Sequence, residues 1–232
     1  MGHYPAAMPP LHLLRVFCSE DGSGGNPLAV FLEGAGVPEG RRQAVAADLG
    51  LSETVFVDDP VHGAIRIYTP TVELEFAGHP TVGTAWLLAQ ARGPVGSLNP
   101  PAGEVPVRYE GGMSFVAGRP EWHPQYEFVE LGSPAEVERL TGPPPGSDMI
   151  GAWAWADEQA GILRSRMFPI GIGIDEDEAT GAAAVQLGGR LGRPIDIRQG
   201  TGSRILARPR PDGSVEIGGL SVLDEVRDYT LA

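Results

Sequence analysis

Alternating apolar and polar positions predict several short strands in the first half of the chain. The predicted strands cover residues 11–17, 28–32, 51–57, 65–68 and 72–76. The first of them has apolar residues on both faces, which is typical of a strand that is covered on both sides. Two helices are predicted in the same half of the chain. One runs from Pro38 to Leu49 and is ended by Gly50, and the other runs from Pro80 to Ala91.

The second half has a less regular pattern. Strands are predicted at residues 126–131, 166–169, 195–198, 205–207 and 214–217, and a helix of small residues from Thr180 or Gly181 to about Leu191. Residues 93–106 are rich in glycine and proline and predict a crossing between two units. We therefore expect an α+β protein with an N-terminal lobe (1–105) and a C-terminal lobe (106–232), whose last strand packs back on the first lobe.

Both halves contain a strand, a tight turn with glycine at its apex, and a helix of small and apolar residues. The apex glycines are Gly78 and Gly181. This similarity indicates a duplication, with two lobes that face each other across a cleft. Each lobe would present a helix N-terminus to the cleft, and two such termini favour an anionic ligand.

Charge and composition limit the possible partners. The 232 residues carry 30 acidic and 17 basic side chains, a formal net charge of −13. Such a charge argues against nucleic acid and anionic membranes as partners. The sequence contains no apolar stretch of the ~20 residues that a membrane span needs and no signal-peptide pattern. Cys18 is the only cysteine, so no internal disulfide is expected, and we predict a cytoplasmic protein.

Glu53 is the first candidate for an acid–base residue. On the predicted strand it would share a face with Leu51 and Val55, where desolvation raises the pKa of a carboxyl group. An exposed acid on an edge strand explains the pattern equally well. His79 follows Gly78 at the start of a helix, where a structural polar residue is the simpler interpretation.

Other motifs give weaker signals. Residues 175–181 resemble a calcium loop, but position six is Thr180 rather than glycine and position twelve is Gln186 rather than glutamate. The acids are better explained as residues that precede a helix N-terminus, with Asp177 or Thr180 as the cap. The glycines of residues 22–25 lack the lysine of a phosphate-binding loop. No metal-binding, thiol or serine-hydrolase motif is found, so we predict no metal site.

Several segments, taken in order, resemble the PhzF family of phenazine-biosynthesis-like isomerases. These segments are Asn26-Pro27-Leu28-Ala29-Val30, Leu51-Ser52-Glu53-Thr54-Val55-Phe56-Val57, Tyr68-Thr69-Pro70, Glu73 through Ala85 with its Phe76-Ala77-Gly78-His79-Pro80-Thr81 core, and Asp177-Glu178-Ala179-Thr180-Gly181-Ala182-Ala183. The resemblance is strong over residues 11–90 and less continuous over residues 165–217.

The resemblance implies the diaminopimelate epimerase-like fold, in which each of two similar lobes wraps a sheet around a central helix. It also implies a homodimer, a small acidic metabolite as substrate, no cofactor and a role in secondary metabolism. The site residues that it implies are Glu53, His79 and Asp177 for catalysis, and Gly78, Pro80, Thr81, Thr180, Gly181, Ala182 and Gly202 for substrate binding. Glu53 would remove a proton from carbon and return it at another position.

Two positions differ from the family pattern. Glu178 stands where the family usually has proline, and Ala182 stands where it usually has a serine that lines the site. A missing hydroxyl removes one hydrogen-bond partner of the substrate. Epimerisation, elimination or cyclisation on the same scaffold therefore stay open as alternatives, as does a protein that binds a metabolite without transforming it.

Overall fold

A computed structural model describes residues 8–231. Fourteen strands lie in this range: β1 (Leu11–Cys18), β2 (Asn26–Phe31), β3 (Thr54–Asp59), β4 (Ala64–Tyr68), β5 (Glu73–Leu74), β6 (Ser97–Leu98), β7 (Val105–Glu110), β8 (Met113–Gly118), β9 (Glu127–Glu130), β10 (Met149–Asp157), β11 (Ile162–Pro169), β12 (Ile195–Gln199), β13 (Ser203–Pro209) and β14 (Val215–Arg227). The α-helices in this range are α1 (Glu39–Leu49), α2 (Gly78–Ala91), α3 (Pro134–Glu138) and α4 (Gly181–Leu191). None of the helices within residues 8–231 is long and apolar enough to cross a lipid bilayer.

The strands form a mixed sheet whose order does not follow the chain. From edge to edge the order is β5-β4-β3-β2-β1-β14-β13-β12-β11-β10-β9. Strand β8 pairs with β14 outside this path and is followed by β7 and β6. Most neighbours are antiparallel, but the pairs β2–β3, β9–β10 and β11–β12 are parallel. A large mixed sheet with few helices confirms the predicted α+β class.

Helices α2 and α4 lie at the centre of the fold. Residues 78–85 of α2 and 183–188 of α4 are buried on all sides, as expected of helices enclosed by other elements. Helix α2 packs against β1, β8 and β14, and α4 packs against β13 and β14. One hydrophobic cluster includes Val82, Val185 and Ile217, so both helices share a core with the middle of the sheet.

A second cluster covers the opposite face of strands β1 to β4. It contains Leu11, Ala29, Phe31, Val37, Val45, Ala46, Phe56, Tyr68 and Tyr229. Phe31 and Phe56 stack at 5.2 Å between ring centroids. Strand β1 is therefore covered on both faces, as its sequence pattern predicts.

The structure corrects the predicted strand around Glu53. Gly50 ends α1 in the left-handed conformation, at φ 63°, and the chain turns through Leu51 and Ser52 before it extends. Strand β3 therefore begins at Thr54. The prediction that Glu53 shares a strand face with Leu51 is wrong, because Glu53 precedes the strand.

The predicted start of α2 is also wrong by two residues. The helix begins at Gly78 rather than Pro80, since proline is tolerated in the first turn, where its missing N–H has no helical acceptor. The predicted strand at residues 72–76 is reduced to the two residues of β5. His79 consequently lies inside the helix, as its second residue.

Strand β14 connects the two halves of the chain. Its first part pairs with β13 and β8, and its later part pairs with β1. Val105, the last residue of the predicted N-terminal lobe, is the first residue of β7. The division into two lobes stays a prediction.

Candidate active site

Glu53 lies in the connection between α1 and β3, and its side chain is 16% exposed. Burial raises the pKa of Glu53 to about 7, and the neighbouring Ser52 side chain opposes this shift. A carboxyl group with this pKa exchanges its proton near neutral pH, which general acid–base catalysis requires.

His79 is the second residue of α2 and is 6% exposed. Burial lowers the pKa of His79 to about 4, although the charge of Asp177 and the backbone of Pro27 act in the opposite direction. The imidazole is therefore neutral at pH 7. It can position a ligand or exchange a proton, but it supplies no fixed positive charge.

Glu53 and His79 are in direct contact. Nε2 of His79 lies 3.3 Å from Oε2 of Glu53. Neither atom has a hydrogen bond of suitable geometry to any group within residues 8–231. Because the imidazole is neutral, the contact is not an ion pair at neutral pH. Two buried polar atoms without partners cost free energy, and a ligand that hydrogen-bonds to them would offset this cost.

Asp177 reaches the same region from the second half of the chain. Its Oδ1 accepts a hydrogen bond from Nδ2 of Asn26 at 2.9 Å, and its Oδ2 accepts one from the Thr180 hydroxyl at 2.6 Å. Burial raises the pKa of Asp177. Thr180 and His79 oppose this shift, and the charge of Glu53 adds to it. The three residues predicted to be catalytic therefore lie close enough to influence one another electrostatically.

Asn26 belongs to the same site but was not among the predicted site residues. It is 5% exposed, and its Nδ2 donates to Asp177 and to the Ala179 carbonyl, both at 2.9 Å. Its Oδ1 accepts a hydrogen bond from the Ser52 hydroxyl at 3.4 Å. Asn26 thus connects the segment that carries Glu53 to the turn that carries Asp177. The position of Asn26 at the start of a family-like segment was the signal that could have identified it.

Gln199 fixes the backbone of the Asp177 turn. It is 2% exposed, and its Nε2 donates to the Asp177 carbonyl at 2.8 Å and to the Thr180 hydroxyl at 2.9 Å. The Thr180 hydroxyl therefore both accepts and donates within the protein. The hydroxyl thereby orients Asp177, and the role of Thr180 in substrate binding stays a prediction. Neither Thr180 nor Asp177 caps α4 through a side-chain hydrogen bond.

Helices α2 and α4 begin against each other at this site. A Cβ on Gly181 would lie 3.1 Å from the nitrogen of His79 and 3.2 Å from Cα of Gly78. The first helical hydrogen bonds come from the N–H groups of Thr81 and Ala184, so the earlier N–H groups lie outside the helical ladders. Two partially positive helix ends therefore meet here and favour an anionic group.

These helix ends can attract an anion without a basic side chain. No arginine is among the groups that shift the pKa values of Glu53, His79 or Asp177. The chain contains no lysine, so all 17 basic residues are arginines. Within residues 8–231, no group of three or more His, Cys, Asp or Glu residues is arranged to hold a metal ion.

The other residues predicted to bind substrate have different surroundings. Pro80 and Thr81 are buried inside α2, and the Thr81 hydroxyl donates to a backbone carbonyl one turn earlier at 2.7 Å. Ala182 is half-buried in the first turn of α4. Gly202 lies against another turn, where an added Cβ would be 2.8 Å from Oγ of Ser23. The Thr81 hydroxyl and Gly202 thus contact the protein itself, whereas Ala182 stays accessible.

Tyr126 also lies near the two acids. Burial raises the pKa of its phenol, and the charges of Asp177 and Glu53 raise it further. Its backbone N–H donates to Oε1 of Gln186, a residue of α4, at 3.0 Å. The sequence placed Tyr126 at the start of a strand and gave no functional signal for it.

The sequence is similar to one protein family and to individual bacterial isomerases. A family described as "Phenazine biosynthesis-like protein" matches residues 14–140. A trans-2,3-dihydro-3-hydroxyanthranilate isomerase of Pseudomonas aeruginosa is 33% identical over 253 aligned positions, which cover 84% of this chain and 90% of that protein. An uncharacterized isomerase of Pasteurella multocida is 47% identical over 83 residues, which are 34% of this chain and 28% of that protein. The chain therefore spans well under two thirds of the length of that relative.

Solved structures show the same fold. The PhzF-family phenazine biosynthesis protein of Bacillus anthracis superposes with a TM-score of 0.78, covering 96% of this chain and 99% of that chain. The two sequences are 19% identical, so this likeness concerns the fold alone. It confirms the fold class that was expected from the sequence.

Proposed function

Because this chain belongs to the phenazine biosynthesis-like (PhzC–PhzF) protein family, we propose that it is an isomerase that moves a proton within a small carboxylate-bearing metabolite. Glu53 takes the proton from one carbon and returns it to another, and the reaction requires no cofactor. The family description further suggests a place in secondary metabolism.

The contact between Glu53 and His79 carries this proposal. Their Oε2 and Nε2 atoms are 3.3 Å apart, and neither has a hydrogen-bond partner within residues 8–231. Buried polar atoms without a partner are uncommon and call for an explanation, and a ligand that hydrogen-bonds to this adjacent pair supplies one. With its pKa raised to about 7, Glu53 can remove a proton as the carboxylate and return it as the acid.

The proposed reaction begins with the substrate carboxylate at the N-termini of α2 and α4. The Glu53 carboxylate removes a proton from carbon, and the electron pair of the broken C–H bond shifts into the conjugated system. Glu53, now protonated, then delivers the proton to a second carbon, and a double bond has changed position. No proton or electron is gained or lost overall. Neutral His79 and Asp177 orient the substrate or relay the proton.

The name of the Pseudomonas aeruginosa relative indicates the first substrate to test. Trans-2,3-dihydro-3-hydroxyanthranilate carries one carboxylate on a partly unsaturated ring, which suits both the paired helix ends and proton transfer between carbons. Ala182 provides a methyl group where a hydroxyl is usual in the family. The proposal therefore also covers a related substrate whose substituent next to Ala182 differs from that of the family's usual substrate.

The proposal is tested by isomerisation in heavy water, followed by NMR. Purified wild type is expected to convert trans-2,3-dihydro-3-hydroxyanthranilate and to incorporate solvent deuterium at the carbon that receives the proton. Glu53→Gln keeps the shape of the side chain without its basicity, so its rate should fall by about 10³-fold. Glu75→Gln, which changes an exposed acid, serves as the matched control.

Two outcomes would contradict this proposal. Turnover by Glu53→Gln at the wild-type rate would exclude Glu53 as the base. If wild type and Glu53→Gln both bound the compound by calorimetry and returned it unchanged, the chain would be a binding protein for such acids.

A further inference from the structure

Glu178 directs its carboxylate into the turn between β12 and β13. Its oxygens accept hydrogen bonds from the Thr201 N–H at 2.9 and 3.0 Å, from the Thr201 hydroxyl at 3.1 Å and from the Ser203 hydroxyl at 2.8 Å. A solvated glutamate keeps its rotamer freedom, whereas this side chain loses it to make these bonds. The adjacent acids behave differently, because Asp175 is exposed and Glu176 pairs with Arg166.

Ser203 extends this contact to the first half of the chain. Its side-chain oxygen accepts a hydrogen bond from the Gly25 N–H at 2.8 Å, and Ser203 is 1% exposed. The two turns also touch through their backbones, since a Cβ on Gly24 would lie 2.5 Å from the carbonyl carbon of Gly202. Gly24 has φ 64°, which favours glycine for a second reason.

These contacts form a closed ring with the candidate active site. Asp177 precedes Glu178, and Asn26 follows Gly25. Asp177 and Asn26 are themselves hydrogen-bonded at 2.9 Å. The two turns are thus joined twice, once through the pair of residues in the site and once through Glu178 and Ser203.

We propose that Glu178 is a positioning residue that holds Asp177 against Asn26 by joining its turn to the turn at residues 22–25. Without Glu178, the Asp177 turn would lose its attachment to Thr201 and Ser203. The turn would then be held by Gln199 and by the bonds of the Asp177 carboxylate to Asn26 and Thr180. The catalytic consequence rests on the proposed function, but the connection itself does not.

The connection is tested by amide hydrogen exchange in the full chain. Ser203→Ala should raise the exchange rate of the Gly25 amide by about tenfold and leave that of Thr201 unchanged. Glu178→Ala should raise both rates, because Thr201 loses its acceptor and Ser203 loses its orientation. Asp175→Asn, a change of an exposed acid in the same turn, should alter neither. Unchanged Gly25 exchange in Glu178→Ala would overturn the connection.

The positioning role has two further readouts. Glu178→Ala should shift the side-chain amide NMR signals of Asn26, which report its bond to Asp177, whether or not a substrate is known. With an active wild type, kcat should fall by about tenfold while KM changes by less than about threefold. The kcat of Glu178→Gln should lie between those of wild type and Glu178→Ala, since the amide oxygen of glutamine still accepts hydrogen bonds.

Unchanged Asn26 signals in a folded Glu178→Ala would overturn the positioning role, as would an unchanged kcat in an active enzyme. An inactive wild type would contradict the proposed function instead. In that case, amide exchange and the Asn26 signals would still decide whether Glu178 positions Asp177.

Discussion

Gly78 and Gly181, the first residues of α2 and α4, lie in backbone contact across the candidate active site. A Cβ on Gly78 would be 3.3 Å from Cα of Gly181 and 2.7 Å from Cδ1 of Ile217. Any side chain at either position would push the two helix ends apart. Since each helix N-terminus carries a partial positive charge, moving the two ends apart would weaken their combined attraction for an anion.

Gly78→Ala should destabilise the protein by about 1–3 kcal/mol through overpacking, because its Cβ meets Ile217. Combining it with Ile217→Val removes Cδ1, the atom at 2.7 Å, and should recover most of this loss. Gly181→Ala should not be rescued by Ile217→Val, since its Cβ also meets the His79 nitrogen at 3.1 Å. Urea denaturation of the single and double variants measures these differences. If Ile217→Val restored the stability of Gly78→Ala and of Gly181→Ala equally, the helix ends would not be in backbone contact.

Glu53→Gln should gain stability relative to wild type as the pH rises from about 5 to about 8. Burial raises the pKa of Glu53 from its ordinary 4.5 to about 7, so between these values the folded protein holds a proton that the unfolded chain releases. The contribution of Glu53 to the free energy of unfolding of the wild type therefore falls as the pH rises from 4.5 to about 7, and it stays constant at higher pH. Glutamine does not titrate, and the relative gain should be about 2 kcal/mol. A pH-independent difference between the two proteins would show that this carboxyl group is not desolvated.

His123→Phe should show the opposite dependence. His123 is 7% exposed and packs on Phe76 at 5.2 Å between ring centroids, and burial lowers its pKa to about 4. Between this value and the ordinary 6.5, the unfolded chain binds a proton that the folded protein does not, so stability rises with pH. Phenylalanine keeps the aromatic packing and removes the titration.

The difference in free energy of unfolding between His123→Phe and wild type should therefore favour the variant by about 2 kcal/mol more at pH ~5 than at pH ~8. Denaturation at both pH values measures this gain. A gain by His123→Phe that is equal at both pH values would contradict a buried neutral imidazole.

Asn26→Asp keeps the shape of the side chain but replaces its two donated hydrogen bonds with acceptors. A carboxylate would then face Asp177 and the Ala179 carbonyl, and we expect a loss of about 1–3 kcal/mol in the free energy of unfolding. The loss should be larger at high pH, where both acids ionise. Asn99→Asp, at an exposed asparagine, provides the comparison. If the Tm measured by thermal denaturation fell equally in both variants, a special role for Asn26 would be excluded.

Local signals predicted much of the fold and the site. The glycines at positions 50, 78 and 181 mark helix ends in the sequence, because their backbone freedom or small size is needed there. Two of them also mark the place where the helices meet. Glu53 was selected by a strand argument that the structure corrects, but its desolvation was predicted for the right physical reason. The resemblance to a family added Asp177, which no periodicity would have singled out.

Long-range pairing could not be predicted from the sequence. Asn26 and Asp177 are 151 residues apart, and neither carries a local pattern that indicates the other. Strand β10 was missed because alanine, which separates Trp153 and Trp155, is a strong helix former and a weak strand former. The hydrogen bond from Gln199 to the Thr180 hydroxyl was not predicted either, because Gln199 arrives from a distant strand.

The pairing of β1 with β14 has a consequence for synthesis on the ribosome. Leu11 pairs with Arg227, so β1 leaves the ribosome long before its neighbour β14 is translated. Until then, β1 presents an unpaired edge in a nascent chain that is otherwise able to collapse. Such an edge can recruit strands of other chains, and protection by chaperones would be most valuable during this interval.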